Sequence, residues 1–104
     1  MKTVDIVVPC YNEEEVLETF YQVTDGIVSA MAGYSFTYIL VDDGSRDSTL
    51  TKMKELAAAH DNVRYISFSR NFGKEAAMYA GLSHTTGDLV IVMDADLQHP
   101  PAMI

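Results

Sequence analysis

The sequence predicts an α/β domain of three layers, a mostly parallel sheet with helices on both faces. Three observations carry that prediction. Apolar runs rich in β-branched residues alternate with stretches of helical periodicity, in the order β-α-β-α-β-α-β. The last run, Leu89 to Met93, has no polar break and reads as a strand buried on both faces. Each run also ends in a polar cluster: Pro9 to Glu13, Asp42-Asp43, Ser69 to Lys74, and Asp94 to Gln98. Strands of a parallel sheet point one way, so these clusters share one rim, the layout of a ligand crevice.

Taken in order, Val4 to Val8 is the first strand, ended by Pro9, which cannot donate to a sheet ladder. Asn12 is expected to cap a helix whose first turn is Glu13-Glu14-Glu15. Val16, Phe20, Val23, Ile27 and Met31, with Leu17 and Val28, form its buried face, and Gly33 caps its end. Phe36 to Val41 is the second strand, closed by the turn Asp42-Asp43-Gly44-Ser45. Asp47 or Ser48 starts the second helix, with Leu50, Met53, Leu56 and Ala57 inward. Val63 to Phe68 is the third strand, and its alternation suits a sheet edge. Lys74 to about Thr85 forms the third helix, whose small face (Ala76, Ala77, Ala80, Gly81) lets it approach the sheet or a ligand closely. Thr86-Gly87-Asp88 turns the chain into the fourth strand.

At 104 residues the chain is one domain, and 48% hydrophobic with 21% charged residues is an ordinary globular composition. A net charge of −8 argues against a nucleic-acid surface, which wants a basic stripe. The single cysteine, Cys10, excludes an internal disulfide and suits a reducing compartment. No apolar stretch approaches the roughly 20 residues of a membrane span, and no signal peptide opens the chain. Pro100 to Ile104 reads as a turn into another element, so the fold is expected to continue past it.

The chemistry concentrates at Asp94 and Asp96. Two carboxylates one residue apart repel unless something positive lies between them. A divalent cation shared with a phosphate ligand supplies that charge, and the alternative is a plain strand-end turn. No Gly-x-Gly-x-x-Gly follows the first strand, and Gly73-Lys74 runs into Glu75, so neither a dinucleotide fingerprint nor a P-loop is present. A nucleoside diphosphate held mainly through a metal fits better. A carboxylate at the second strand's end can meet the base or ribose, Tyr11 can lie against the base, and Lys74 or Arg70 can meet phosphates.

Four motifs then carry a resemblance. Val-Pro-Cys-Tyr-Asn-Glu (8–13), Val-Asp-Asp-Gly-Ser-Arg-Asp-Ser-Thr (41–49), Arg-Asn-Phe-Gly-Lys (70–74) and Met-Asp-Ala-Asp-Leu-Gln-His-Pro-Pro (93–101) occur in order. Together they resemble the N-terminal half of a family-2 glycosyltransferase with the A-type nucleotide-sugar fold. The last two are most similar to polyprenyl-phosphate hexosyltransferases of the dolichol-phosphate mannosyltransferase and bactoprenol glucosyltransferase type. The resemblance implies a truncated Rossmann-like domain of strand order 3-2-1-4, with residues 1–104 as its nucleotide-sugar-binding part. It further implies inverting, metal-dependent transfer of a hexose, from a UDP-glucose-like donor first and GDP-mannose second, to a polyprenyl phosphate. The alternative is a nucleotide-sugar-binding module without transfer activity. By the same resemblance Pro9, Tyr11, Asn12 and Glu13 line the nucleotide pocket, Asp42 receives the base and Lys74 lies near the nucleotide. Asp94, Ala95 and Asp96 meet the diphosphate, and Asp94, Asp96 and Gln98 hold Mg²⁺ or Mn²⁺. The catalytic base, the acceptor site and membrane contact are implied to lie beyond Ile104, with the whole protein at the cytoplasmic face of the inner membrane. In that sheet order the fourth strand's outer edge is left open, and self-association through it is expected.

Plainer roles suffice for the other conspicuous residues. Glu14 and Glu15 are first-turn charges, Asp43 shapes the Asp-Gly turn, and Asp47 is a helix cap. Cys10 is a small buried residue, and His60, His84 and His99 form no metal set. A phospho-acceptor signalling domain would need an acidic pair after the first strand and a lysine after a fifth, and neither is present.

Overall fold

The computed structural model describes residues 2–95. Seven elements alternate: β1 (Lys2–Cys10), α1 (Leu17–Val28), β2 (Tyr34–Asp42), α2 (Thr49–Ala59), β3 (Val63–Ser67), α3 (Lys74–Ser83) and β4 (Leu89–Val92). The sheet order is β3-β2-β1-β4, and every pair is parallel. The predicted fold class and strand order are therefore present, with β3 at an edge as its alternating pattern required.

The period-two alternation of β1 and β2 distributes the core between the two faces. Val4, Ile6 and Val8 with Phe36, Tyr38 and Leu40 point to α1 and α2, where Leu17, Phe20, Tyr21, Val28, Met53 and Leu56 meet them. Val7, Ile39 and Val41 point the other way, against Ala77 of α3. Gly81 explains how α3 comes so close: a Cβ built there would stand 2.3 Å from Cγ1 of Val7. At the far end of the sheet, buried Asp5 accepts the backbone N–H groups of Thr86 and Gly87, both at 2.8 Å, and so anchors the turn between α3 and β4.

Several boundaries differ from expectation. β1 runs through Pro9 to Cys10, with Pro9 opposite Val41. Its ladder to β4 stops at Val7, so the proline sits where β1 has one partner strand, which spares the missing donor. Helix α1 starts at Leu17 with Val16 as its N-cap, and Asn12 is not a cap: it has a left-handed φ of 55°, away from the extended backbone typical of that position. Its buried stripe is Leu17, Phe20, Tyr21, Thr24 and Val28, while Val23 is 42% exposed. Tyr21 can replace valine inside because its ring packs on Tyr38 and its hydroxyl donates to Asn62 Oδ1. Gly33 lies beyond the helix end, at φ 87°, in the turn into β2.

β4 is the larger departure. Leu89, Val90 and Val92 are 47%, 40% and 38% exposed, not buried on both faces. The strand stands at the sheet edge, and α3 packs mainly on β1 and β2. Among the described residues β4 is an edge strand, as strand order 3-2-1-4 requires. Among the described residues no helix is long and apolar enough to cross a membrane.

Gly81 supplies a direct test of the layer spacing. Gly81→Ala improves helix propensity by about 1 kcal/mol, yet its methyl must push Val7 out of the core. Urea denaturation is expected to show a net loss of about 1–2 kcal/mol, the usual cost of overpacking.

Candidate functional site

Two loops at the carboxyl ends of β1 and β2 are laced together before any ligand is considered. The Asn12 N–H donates to Ser45 Oγ at 2.9 Å, and Asn12 Oδ1 accepts the Arg46 N–H at 2.9 Å. The Glu13 N–H donates to Thr49 Oγ1 at 2.8 Å. Asparagine tolerates the left-handed φ that lets one residue make both of the first two contacts. The N-cap of α2 is Ser48, and Asp47 stands one residue before it, accepting the Thr49 N–H at 2.9 Å and the Glu14 N–H at 3.4 Å. Desolvation raises its carboxyl pKa, but hydrogen bonds from Thr49, Glu14 and its own N–H outweigh this and hold it below the ordinary value of 3.8.

A third loop is tied on by Asp43, only 3% exposed. Its carboxylate accepts the Phe72 N–H at 2.8 Å, the Gly73 N–H at 3.1 Å and the Asn71 amide at 3.0 Å. Those donors lie immediately before α3, so Asp43 sets where the helix begins and where Lys74 stands. Gly44 (φ 70°) makes the contact possible: a Cβ on it would lie 2.2 Å from the Arg70 carbonyl carbon.

Inside this frame is a cavity of about 300 Å³ lined by Pro9, Cys10, Tyr11, Glu13, Asp43, Lys74, Asp94 and Ala95. Lys74 Nζ reaches across it to Asp94 Oδ1 at 2.7 Å. Asp94 leaves β4 just after Met93, whose N–H still pairs with the Val7 carbonyl. Burial pushes the Cys10 thiol far above its usual range, and the charges of Glu13, Asp42 and Asp94 add to the shift. It therefore stays protonated and inert as a nucleophile. Among the described residues no cluster of three or more His, Cys, Asp and Glu forms a ready metal set. Of the carboxylates lining the cavity, Asp43 is spent on the Asn71, Phe72 and Gly73 donors; the other two, Glu13 and Asp94, are hard oxygen donors, and Asp94 carries the Lys74 ammonium. That chemistry fits a hard divalent cation of the Mg²⁺ or Mn²⁺ kind.

Six of the residues named from sequence meet in the cavity: Pro9, Tyr11, Glu13, Lys74, Asp94 and Ala95. Asn12 does not line it; its side chain holds the neighbouring turn. Asp42 does not line it either, being 2% exposed with Oδ1 accepting the Ser45 N–H at 3.0 Å. Asp96 and Gln98 lie outside the described residues. Sequence reasoning gave Asp43 only a turn-shaping role. Strand parity was the missed signal, since Asp43 continues the Ile39 and Val41 side of β2, the side that faces α3.

Comparison with known proteins agrees with this geometry. The Glycosyl transferase family 2 family model matches residues 5–104. A bactoprenol glucosyl transferase of Shigella phage SfX is 44% identical over 97% of this chain and 33% of its own length. An undecaprenyl-phosphate 4-deoxy-4-formamido-L-arabinose transferase of Klebsiella pneumoniae is 40% identical over the whole chain and 32% of its own length. The chain thus spans about a third of these relatives. Among solved structures, a mannosyltransferase from Pyrobaculum calidifontis in complex with GDP-Man and Mn²⁺ superposes with a TM-score of 0.73 at 28% identity. That match covers 89% of this chain and 27% of the other. A TM-score of 0.73 shows that this chain shares the fold of the matched part of that mannosyltransferase.

The lacing can be tested by stability. Asp43→Ala leaves buried N–H donors unpaired and is expected to cost about 2–3 kcal/mol in urea denaturation. Asp47 gives a pH signature. Its folded pKa is depressed, so its contribution is present above the ordinary value of 3.8 and is lost as pH falls through the lower folded value. Thermal unfolding followed from about pH 5 to pH 2 should fall more steeply for wild type than for Asp47→Asn.

Proposed function

This chain belongs to glycosyl transferase family 2, and on that premise we propose that residues 1–104 form the nucleotide-sugar-binding part of a hexosyltransferase acting on a polyprenyl phosphate. The observation that carries the reading is the opposition of Lys74 and Asp94 across a cavity built from three strand ends and the start of α3. Such a wall can take a nucleoside diphosphate only if cations balance it, and Lys74 is the lysine within reach of a phosphate.

In this reading Tyr11, 41% exposed at the rim, lies along the base, while Pro9 and Ala95 line the cavity with uncharged, apolar side chains. Glu13 accepts a hydrogen bond from base or ribose, and Asp42 can receive the base only by giving up the Ser45 N–H it accepts. Lys74 swings onto a phosphate oxygen, orienting the bond that breaks. Asp94, with Asp96 and Gln98, is the set that holds Mg²⁺ or Mn²⁺, whose chemistry when bound is Lewis-acid stabilisation of the departing diphosphate. An oxygen of the lipid phosphate forms the new bond to the anomeric carbon as the bond to the donor diphosphate breaks, with inversion. The acceptor is already anionic, so a strong general base is not demanded. A UDP-sugar is the first candidate donor and GDP-mannose the second. Transfer takes place at the cytoplasmic face of the membrane that carries the lipid.

Calorimetric titration with UDP, UDP-glucose, GDP and GDP-mannose, with and without Mn²⁺, tests the reading. Metal-dependent binding of one nucleotide, weakened at least about tenfold (1.4 kcal/mol) in Asp94→Asn, is expected. A folded chain that binds none of the four overturns it. Binding without transfer to a polyprenyl phosphate would leave a nucleotide-sugar-binding module instead.

A further inference from the structure

We propose that Lys74 is a resident counter-ion that occupies Asp94 until a metal-bound diphosphate displaces it, so that metal and nucleotide bind as a coupled pair. The inference rests on the nucleotide-sugar reading above and adds a rule for the order of its events. Lys74 Nζ lies 2.7 Å from Asp94 Oδ1, the distance of a charge-assisted hydrogen bond. Among the described residues lining the cavity it is the one cation, in a wall that also carries Glu13 and Asp94. The two ends of the pair are unequally placed. Asp94 is 21% exposed and fixed at the end of β4, while Lys74 is 62% exposed on a flexible stem. The lysine has the reach to change partner, and the short aspartate side chain does not.

That asymmetry determines the coupling. A divalent cation arriving alone must evict an ammonium from Asp94 and leave it in a mostly acidic wall with no new partner. A nucleoside diphosphate arriving alone meets those acids, with Lys74 already engaged. When both arrive, Asp94 exchanges an ammonium for the metal and Lys74 exchanges a carboxylate for a phosphate, so each broken contact is replaced. Asp43 makes the exchange local: by gripping the Phe72 and Gly73 N–H groups it holds the backbone at the start of α3 while the Lys74 side chain changes partner. Each ligand therefore raises the affinity for the other through one lysine, as reciprocal linkage requires.

The test measures Mn²⁺ binding directly, by the electron paramagnetic resonance signal of free Mn²⁺, with and without UDP or GDP. Wild type, Lys74→Met, Lys74→Arg, Asp94→Asn and Arg64→Met are compared, the last removing the same charge from β3 away from the cavity. Lys74→Met is expected to bind Mn²⁺ without nucleotide about three- to tenfold more tightly than wild type, the scale of a partly exposed ion pair. The enhancement by nucleotide should shrink by at least that factor. Lys74→Arg should follow wild type, and Arg64→Met should shift the affinity less than Lys74→Met. If Lys74→Met binds Mn²⁺ no more tightly than wild type while Asp94→Asn loses it, the counter-ion role is overturned and the nucleotide-sugar reading stands. If no form binds Mn²⁺ with either nucleotide, both are overturned.

Discussion

Parallel pairing on both sides of β1 is the constraint on which the rest of the molecule depends. β1 takes β2 along its whole length and β4 along Val4 to Val7, and both neighbours run in its direction. Parallel strands cannot be joined by tight turns, so each connection becomes a helix, and every strand delivers its carboxyl end to the same rim. The cavity is thus a product of topology before it is a product of chemistry. What topology leaves unspecified is the relative placement of the loops. Side chain to backbone hydrogen bonds settle that: Asn12 and Asp47 join the first two loops, and Asp43 joins the second to the third. These three polar residues act as structural members in a region where a binding role would be the first guess for each.

Charge gives the rim its character. A wall that carries Glu13 and Asp94 makes a poor home for a bare anion and a good one for a cation. The protein itself meets part of that demand with Lys74, at the end of the loop that Asp43 positions. Structural placement and electrostatic balance are therefore linked through residues 43 and 73–74, with Gly44 allowing the two backbones to touch.

Much of this was legible in the sequence, and the exceptions have physical causes. The alternation of Val63 to Phe68 identified an edge strand, and the small residues of α3 identified a close approach that Gly81 realises. The apolar run ending at Asp94 put that carboxylate on the shared rim, but its ion pair with Lys74 appears only in the folded chain. Burial of that run could not be read, because it depends on what lies beside β4 and not on the strand's own composition. Asn12 looked like a cap because asparagine favours both caps and left-handed turns; only tertiary contacts to Ser45 and Arg46 decide between them. Asp42 and Asp43 are chemically identical, and only strand parity separates the one folded into its own turn from the one facing α3. In α1, Tyr21 and Thr24 displaced Val23 from the buried stripe, a substitution hydropathy disfavours and ring packing on Tyr38 permits.

The short, exposed β4 has a consequence for how firmly the cavity is kept. Stability is not uniform across a fold, and elements with little buried area open locally at a small fraction of the global unfolding free energy. Among the described residues β4 pairs with β1 alone, over four positions, with three of its four side chains exposed. Asp94 and Ala95 are mounted on that strand, while Pro9, Tyr11 and Asp43 are mounted on the best-covered pair in the sheet. One wall of the cavity is therefore carried by a strand with a single partner among the described residues, and the opposite wall by the more fully paired β1 and β2. Whatever covers or grips β4 also fixes how long the two walls stay in register.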